Sequence, residues 1–577
     1  MKGLPALAIA VIAAVGLCTL APEAGYTLNI LMQAATYAIA VAGIIVVLGY
    51  CGQISLAQAA FFGMGAYGTA LGTTVYGLPF IVATGIGMAL ATVFGLLLGV
   101  ASLRLGGHYL AMVTISFQQI LTLVLNNWIG LTHGPDGVRD IPRPALFTTG
   151  SRYLALCLVC LLIVTWCIWR LKSSRLGRAM QAVRDNEIAA STCGINILRT
   201  KVLAFGLSAL LGGLGGGLFA GAFAYVSPDQ FTFGESIVLL TMALLGGVQS
   251  PFGALLGTGL LVVLPEWLRF LKQVYLAVYG AAVILIMVFL PDGLWGLVTP
   301  RLRRTPAPAR PVLPLPLLQQ TGQPSTAEAL RIEGLAKYFG GLKALDGIDI
   351  VVRQGTVHAL IGPNGSGKST FINVTTGLYR PTSGRITLAG RDVTATAPHV
   401  RNRAGLARTY QNIRVFRGLT VLDNVMIGAE RPGNDIAPDW ARNPAKVVDR
   451  ALAALDFVGL RADANRLVGS LSYGHQRYVE IARALAGSPA VVLLDEPAAG
   501  LNLTEKQELG ALLRRLKGHG LTIVIVDHDM TLVEQVADHI TVLNFGRRIA
   551  DGTPRDVLSH PDVIAAYLGE PRHDEAA

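Results

Sequence analysis

The sequence predicts a polytopic α-helical membrane domain followed by an α/β domain, and three observations support this division. Nearly every long apolar run lies before Pro300. A stretch rich in Pro and Gln follows at 305–325, which cannot form a core and is typical of an extended linker. Beyond Arg331, short Val- and Ile-rich strands alternate with amphipathic helices, the pattern of an α/β domain. We therefore expect a membrane domain at 1–300, a linker at 301–329 and an α/β domain at 330–577.

The composition fits a chain that is partly embedded in lipid. Of its 577 residues, 52% are hydrophobic and only 14% are charged. A net charge of +11 is compatible with nucleic-acid binding, but many basic residues cluster beside apolar runs, where they set orientation and meet anionic lipid. We therefore expect contact with membrane lipid and none with nucleic acid.

Apolar runs of about 20 residues are long enough to cross ~30 Å of hydrocarbon. The first run resembles a secretory signal, but further runs follow at once, which favours an uncleaved first helix. The Gly-rich stretch 52–71 is either a further span or a re-entrant segment. We expect about eight to ten membrane segments in all. The candidate spans are 4–20, 28–48, 80–103, 109–129, 154–169, 203–226, 237–264 and 274–290.

Charged clusters predict the side of the membrane on which the α/β domain lies. Residues 171–201 and 301–310 are rich in Lys and Arg, and by the positive-inside rule both face the cytoplasm. The loop 227–235 carries two acidic residues and no basic one, and should face outward. We therefore expect a multi-pass protein of a bacterial-type cytoplasmic (inner) membrane with its α/β domain in the cytoplasm.

A phosphate-binding loop opens the α/β domain. The segment 362–370, Gly-Pro-Asn-Gly-Ser-Gly-Lys-Ser-Thr, follows an apolar strand and precedes a helical pattern. Its glycines let backbone N–H groups curl around phosphates, Lys368 reaches the outer phosphates and Ser369 coordinates Mg²⁺. The sequence therefore predicts ATP or GTP binding. The predicted nucleotide contacts here are Gly362, Asn364, Gly365, Ser366, Gly367, Lys368, Ser369 and Thr370.

Two acids follow a later apolar strand and supply the chemistry. Asp495 can hold the Mg²⁺ shell, and Glu496 is placed to polarise the water that attacks the nucleotide. A strand followed by a solvated turn would explain the same residues elsewhere, but that reading is weak in a chain with a P-loop. We therefore expect Glu496 to be the catalytic carboxylate of an ATP hydrolase.

The segment Leu471-Ser472-Tyr473-Gly474-His475-Gln476 resembles the signature loop of ATP-binding cassette (ABC) proteins, usually Leu-Ser-Gly-Gly-Gln. Tyr473 replaces the first Gly of that pattern and His475 its Gln. The resemblance implies that Ser472, Gly474 and His475 complete the ATP site of an opposed second cassette, so this chain is half of a cassette pair. It also implies an ABC cassette fold for the α/β domain.

The same resemblance assigns three further residues. It makes Phe339 the aromatic platform for adenine, with the adjacent Tyr338 as an alternative. It places Gln411 in the loop that senses the membrane domain and beside Mg²⁺, and it makes His528 the switch histidine. Gln411 and His528 are therefore predicted to be catalytic together with Glu496. Asn502 stands where most cassettes have Asp, which leaves communication between the two ATP sites open.

Segments in both halves resemble the branched-chain amino-acid importers of the ABC class. Residues 408–424 and 496–502 are similar to their G-type cassette, and residues 52–68, 109–114 and 134–137 to their M-type permease. Residues 63–68 also match the dinucleotide-binding fingerprint, but no strand precedes them, so we expect close helix packing instead. The basic stretch near 175–200 resembles the coupling helix of importers, which docks beside the Gln411 loop; an ordinary juxtamembrane loop is the alternative.

The resemblance implies an importer subunit that receives branched-chain or related hydrophobic amino acids from a separate extracytoplasmic solute-binding protein. Its expected partners are a second cassette, either a second copy or an F-type ATPase, and a second permease, either a second copy or H-type. Importers of amides, urea or aromatic acids remain alternatives, and an ABC exporter half-transporter is disfavoured by the many compact Gly-rich spans. A cassette ATPase with no transport role is disfavoured by the number of spans.

Overall fold

A computed structural model describes residues 25–102, 107–267, 275–290, 293–297, 327–430 and 444–568. The chain divides into two compact units. The first comprises Met1–Arg184 and Ile197–Arg304, and the second comprises Asp185–Asn196 and Thr305–Ala577. The second unit thus includes a short piece of the N-terminal half, which we call the coupling segment (Asp185–Asn196). The predicted first span, 4–20, and most of the predicted linker lie outside the described residues.

The first unit is a helical bundle, and Ile197–Phe223 packs against three other helices of it, Tyr26–Ile44, Gln58–Thr74 and Phe80–Ala101. A short antiparallel pair of strands, β1 (Val138–Arg139) and β2 (Tyr225–Val226), joins two of its loops. The helices of this half of the chain are α1 (Tyr26–Ile44), α2 (Gln58–Thr74), α3 (Phe80–Ala101), α4 (His108–Asn127), α5 (Ile129–Thr132), α6 (Gly150–Lys172), α7 (Arg175–Asp185), α8 (Glu187–Thr192), α9 (Ile197–Phe223), α10 (Phe233–Gly246), α11 (Pro251–Trp267), α12 (Tyr275–Phe289) and α13 (Gly293–Gly296).

Five helical segments within the described residues are long and apolar enough to cross a membrane, or six if one bent pair is a single span. The predicted span 237–264 is wrong as a single helix, because α10 and α11 are bent by 119° at a short break. Gly247 lies at this break with φ +106°, a conformation that favours glycine, and Pro251 starts the second helix. The predicted segments 52–71 and 274–290 form the 17-residue α2 and the 15-residue α12, which are short for a span.

Glycine allows the close packing around α9. A Cβ added at Gly216 would lie 1.8 Å from the carbonyl oxygen of Phe62, and one added at Gly65 would lie 2.0 Å from that of Gly213. No side chain fits at such distances, so the glycines bring the helix backbones into contact. The structure therefore confirms close helix packing, and not a dinucleotide site, as the role of the 63–68 pattern.

Buried polar side chains of the bundle join helices to one another. Gln58 donates to the carbonyl oxygen of Ala40 at 2.7 Å and accepts from the Ser208 hydroxyl at 3.0 Å. Gln118 donates to the carbonyl oxygen of Phe231 at 2.7 Å. Hydrogen bonds across helices are the usual role of such residues in a bundle of this kind.

The second unit contains two sheets. The larger sheet has the strand order β12-β11-β5-β10-β9-β8. All neighbouring strands in it are parallel except β11 and β12, which are antiparallel. The smaller sheet is antiparallel and has the order β4-β3-β6-β7. Their strands are β3 (Glu328–Phe339), β4 (Leu342–Arg353), β5 (Val357–Ile361), β6 (Ser383–Leu388), β7 (Arg391–Asp392), β8 (Leu406–Arg408), β9 (Val491–Asp495), β10 (Thr522–Val526), β11 (His539–Asn544) and β12 (Arg547–Gly552).

The central strands β5, β9 and β10 are buried at every residue, as expected for a parallel sheet covered on both faces. Helices of this unit are α14 (Lys368–Thr375), α15 (Pro398–Arg403), α16 (Val421–Ala429), α17 (Pro444–Phe457), α18 (Tyr473–Ala486), α19 (Leu503–Gly518), α20 (Met530–Val536), α21 (Pro554–Leu558) and α22 (Pro561–Leu568). The C-terminal ends of β5, β9 and β10 lie side by side, and this edge positions the site described next.

Candidate functional site

The P-loop connects β5 to α14 and is shaped by residues with positive φ. Gly362, Gly365 and Gly367 have φ values of +153°, +82° and +106°. A Cβ added at Gly362 would lie 2.1 Å from the carbonyl oxygen of Leu543, so this position admits glycine only. The predicted strand, loop and helix order is therefore present, with the N-terminus of α14 available to an anion.

Lys368 lies at the start of α14 with its ammonium bound to the loop itself. Its Nζ donates to the carbonyl oxygens of Gly362 and Pro363 at 2.7 and 2.9 Å. Burial lowers the pKa of Lys368, while the charges of Glu496 and Asp495 oppose that shift. The ammonium is thus held among polar groups at the loop that is expected to receive phosphates.

A cleft of about 440 Å³ lies in front of the P-loop. Residues 364–370 form one wall, residues 342–344 a second, and Phe545 and Gly546 a third; Gln411 and Glu496 also line it. The cleft therefore brings together the predicted phosphate-binding residues and two of the three predicted catalytic residues. Phe339, the predicted adenine platform, is not among the lining residues; its ring is 42% exposed and packs edge-on against Tyr379.

The predicted catalytic side chains converge on Glu496. Gln411 donates from Nε2 to Glu496 Oε2 at 2.8 Å, and His528 Nδ1 lies 3.6 Å from the same oxygen. Glu496 has φ +41°, an uncommon value for a residue other than glycine, immediately after β9. Backbone strain of this kind is concentrated at functional sites, and here it accompanies the carboxylate that sequence analysis assigned to the chemistry.

Asp495 lies one residue earlier and points into the protein interior. Its Oδ2 accepts a hydrogen bond from Arg408 at 2.9 Å, and both side chains are almost fully buried. Burial raises the pKa of Asp495, and the neighbouring Arg408 opposes that shift. Arg408 was not singled out from the sequence, where it is an ordinary basic residue three positions before Gln411.

The residues predicted to hold Mg²⁺ have the chemistry that this ion prefers. A hydroxyl from Ser369, an amide oxygen from Gln411 and a carboxylate from Asp495 are hard oxygen ligands, which Mg²⁺ prefers, together with water and phosphate. Among the described residues no group of three His, Cys, Asp or Glu side chains could hold a metal ion on its own. Ser369 and Gln411 line the cleft, so a metal here would be held jointly with the nucleotide.

Asp527 holds the loop that follows Glu496 and the loop that contains His528, and it was not predicted from the sequence. Its Oδ1 accepts from the backbone N–H groups of His528 and Asp529, and its Oδ2 accepts from that of Ala498. It is 1% exposed. The run Val-Asp-His-Asp at 526–529 contains the signal, because Asp527 directly precedes the predicted switch histidine.

The signature loop does not line the P-loop cleft of its own chain. Ser472 caps α18, accepting from the N–H of His475, and both residues are exposed, whereas Gly474 is buried beneath the Glu505 side chain. The Tyr473 ring covers Gly500. The exposed N-terminus of α18 is therefore free of the P-loop site of the same chain, as expected if it serves a second cassette.

The coupling segment contacts the loop that contains Gln411. The Tyr410 hydroxyl lies 2.7 Å from Thr192 Oγ1 and donates to the carbonyl oxygen of Ile188 at 3.3 Å. Arg414 donates to Asn186 Oδ1 at 3.2 Å, and the Gly418 N–H donates to Asp185 Oδ2 at 2.9 Å. We call residues 409–418 the Gln411 loop.

The prediction of a single coupling helix near 175–200 needs correction. The structure forms two helices, α7 and α8, separated at Asn186, whose side chain accepts the N–H of Ala189 and caps α8. Asparagine at an N-cap satisfies a backbone donor that a continuous helix would use elsewhere, and this breaks the helix. Only α8 and its flanking residues belong to the second unit.

Comparison with known families matches both halves of the chain. A family described as "Branched-chain amino acid transport system / permease component" matches residues 26–290. One described as "ABC transporter" matches residues 345–499, and "Branched-chain amino acid ATP-binding cassette transporter" matches residues 547–573.

Curated relatives match the second half over nearly their whole length. The chain is 41% identical over 249 residues to the high-affinity branched-chain amino acid transport ATP-binding protein BraF of Pseudomonas aeruginosa, covering 42% of this chain and 98% of that protein. It is 37% identical to a probable branched-chain amino acid transport ATP-binding protein LivG of Methanocaldococcus jannaschii, covering 42% and 99%. A solved nucleotide-free ATP-binding cassette from an ABC transporter is 37% identical, with coverage of 42% of this chain and 100% of that chain and a TM-score of 0.39.

Proposed function

Because this chain belongs to the branched-chain amino-acid family of ABC transporters, in which it joins a permease component to an ATP-binding cassette, we propose that it imports branched-chain or related hydrophobic amino acids. The permease half is a membrane protein, and ATP hydrolysis by the cassette drives transport. This class of substrate is supported by the family that matches the permease half and by the curated relatives of the cassette. The boundaries 1–300, 301–329 and 330–577 remain our proposed division, with β3 beginning slightly earlier at Glu328.

A chain of hydrogen bonds from the coupling segment to Glu496 supports the coupling of ATP hydrolysis to transport. The coupling segment bonds to Tyr410, the next residue is Gln411, and Gln411 bonds to Glu496. A displacement of the segment can therefore reach the catalytic carboxylate through one side-chain hydrogen bond, one peptide unit and a second side-chain hydrogen bond. This path gives the cassette a means to respond to a loop encoded in the permease half.

The cleft supports an in-line attack of water on the γ-phosphate. Lys368 and the backbone N–H groups of the P-loop bind the phosphates, and Glu496 accepts hydrogen bonds from the attacking water and polarises it. Gln411 holds the Glu496 carboxylate through a hydrogen bond, and His528 lies beside it. Mg²⁺, held by Ser369, Gln411 and Asp495, would neutralise charge on the phosphates.

The exposed signature loop supports a partner cassette, either a second copy or an F-type ATPase. Its Ser472, Gly474 and His475 would complete the partner's ATP site. A second permease, H-type or a second copy, and an extracytoplasmic solute-binding protein would complete the importer. We propose a bacterial-type inner membrane with the cassette in the cytoplasm, as the basic stretches near 171–201 and 301–310 indicate.

The test is uptake of labelled leucine, with urea and benzoate in parallel, by cells that carry or lack the gene. Glu496→Gln should abolish uptake while ATP binding persists, because the amide cannot polarise water. Glu534→Gln, a change of an exposed carboxylate on α20, is the matched control and should transport normally. If leucine uptake is unchanged but uptake of another solute is lost, that solute replaces leucine as the proposed substrate. If leucine accumulates in the deletion strain, import is contradicted.

A further inference from the structure

Three charged side chains are buried together on α18, the helix that follows the signature loop. Arg477, Glu480 and Arg483 are 0%, 0% and 2% exposed. Glu480 pairs with Arg477 at 3.2 Å and with Arg483 at 3.5 Å. We call this group the α18 charge cluster. Ion pairs so deeply buried lose much hydration energy and often stabilise a fold no better than apolar residues of similar volume.

The charge cluster binds the backbone of the Gln411 loop through both hydrogen-bond donors and a hydrogen-bond acceptor. Arg477 donates to the carbonyl oxygen of Tyr410 and, at 2.8 Å, to that of Gln411. Glu480 accepts from the N–H of Arg414 at 3.3 Å. Arg483 lies over the ring of Phe416, 4.8 Å from its centroid. The loop is thus bound to α18 at several points between Tyr410 and Phe416.

The same loop carries the contacts to the coupling segment, and the two sets of contacts use different atoms. The Tyr410 hydroxyl and the Arg414 guanidinium meet the coupling segment, whereas the Tyr410 carbonyl oxygen and the Arg414 N–H meet the charge cluster. The side chains of Tyr410 and Arg414 therefore face the coupling segment while their backbone groups are fixed to α18. The N-terminus of that helix presents Ser472 and His475, both exposed.

We propose that the α18 charge cluster joins the Gln411 loop and the signature helix into one rigid element, so that movement of the coupling segment shifts the signature loop toward or away from the partner's ATP. Arg477 and Glu480 are positioning residues in this scheme. The signature loop would respond through this element, and Glu496 through Gln411, so one docking contact reaches both ATP sites. The inference rests on the proposed function, because it assumes a second cassette.

The experiment is a double-mutant cycle on ATP hydrolysis by the complete transporter, purified in lipid through a tag on this chain. Tyr410→Phe removes the hydroxyl that meets the coupling segment, and Arg477→Met removes the hydrogen bonds that α18 donates to the carbonyl oxygens of Tyr410 and Gln411. If both lie on one path, each lowers hydrolysis at least fivefold and the double variant is no slower than the slower single variant. Independent, multiplying effects would overturn the proposal.

Stability controls separate positioning from folding. Arg477→Met with Glu480→Leu and Arg483→Met removes all three charges of the cluster at once and should melt within a few degrees of the wild type while hydrolysis still falls. Arg515→Met is the control, since Arg515 also donates to a backbone carbonyl oxygen, that of Phe457 at 3.5 Å, but from the exposed face of α19; it should hydrolyse ATP normally. If this triple variant melts far lower and Arg477→Lys does too, the cluster only maintains the fold and the proposal is wrong. If the double-mutant cycle gives the expected result but cells that carry the gene do not take up leucine, only the proposed substrate is refuted.

Discussion

Removing one hydroxyl, with Tyr410→Phe, should loosen the coupling segment without disturbing the cassette. The hydroxyl has a short hydrogen bond to Thr192 and a longer one to Ile188, at 2.7 and 3.3 Å. Burial raises the pKa of Tyr410 to about 12, so it remains a neutral donor at physiological pH. Each net hydrogen bond contributes roughly 0.5–1.5 kcal/mol, and because one of these two is long we expect a loss of about 1–2 kcal/mol.

The remaining contacts make this substitution a clean perturbation. Thr192 keeps a hydrogen bond to the carbonyl oxygen of Ala189 at 3.1 Å, so no buried hydroxyl is left unpaired. A phenylalanine ring keeps the packing of Arg408 and Arg414, whose guanidinium carbons lie 4.5 and 4.9 Å from the Tyr410 ring centroid. The loss should therefore appear as easier local opening of the coupling segment and not as global unfolding.

Amide hydrogen exchange of the full-length protein, read on peptides that cover 185–196, measures this opening directly. A loss of about 1–2 kcal/mol corresponds to exchange that is roughly 5–30-fold faster. Tyr478→Phe, which removes the hydroxyl of a half-buried tyrosine on α18, is the control and should leave these amides unchanged. Exchange accelerated less than twofold by Tyr410→Phe would refute the reasoning that this contact holds the segment.

Three further predictions follow from other parts of the structure. Burial lowers the pKa of His358 to about 4. Below about pH 6.5 the unfolded chain therefore protonates this histidine while the folded chain keeps it neutral. The free energy of unfolding should fall by up to roughly 3 kcal/mol as the pH drops from 6.5 to 4. His358 bonds to Thr541 and lies beside His539; Asp551, with its pKa lowered to about 2, stays charged in that window, and His358→Gln should flatten the melting temperature against pH. Phe339→Ala should raise the apparent Kd for ATP severalfold and Tyr338→Ala should not, because the Tyr338 hydroxyl is bonded to Asp346 at 2.8 Å; equal effects in a nucleotide-binding titration would reject the platform assignment. Gly216→Ala should lower the melting temperature of the purified protein because its Cβ would overlap the Phe62 carbonyl, whereas Gly85→Ala, with no atom within 4 Å, should be neutral or slightly stabilising, and similar melting of both would contradict the packing argument.

Local chemistry made the P-loop and the sheet predictable. A loop with glycine at 362, 365 and 367 between a buried strand and a helix has few alternative conformations, and the structure gives those glycines positive φ. Glu496, just after β9, and His528, just after β10, lie close together because parallel strands end at one edge of the sheet. These features depend on residues close together in the chain or on a regular topology, and both can be read from the sequence.

Features that depend on distant residues could not be read in this way. The contact between Thr192 and Tyr410 joins positions 218 residues apart, and no local pattern marks it. Arg477 and Glu480 resemble the solvated face of an amphipathic helix, yet both are fully buried. The bend between α10 and α11 could not be predicted from hydropathy, because apolar residues continue on both sides of Gly247. The hydropathy pattern is that of one continuous run, whereas the backbone forms two helices.

The assignment of Asp185–Asn196 to the same compact unit as the cassette has a consequence for assembly. Both stretches belong to one polypeptide, so they meet by an intramolecular step at an effective concentration that can reach the order of millimolar. Two separate proteins would have to find each other by diffusion, and their pairing would vary with how much of each the cell makes. In this chain every permease half carries its own ATPase at fixed one-to-one stoichiometry. A docking interface held by a few hydrogen bonds can therefore remain weak enough to open and close during each cycle without the two halves separating.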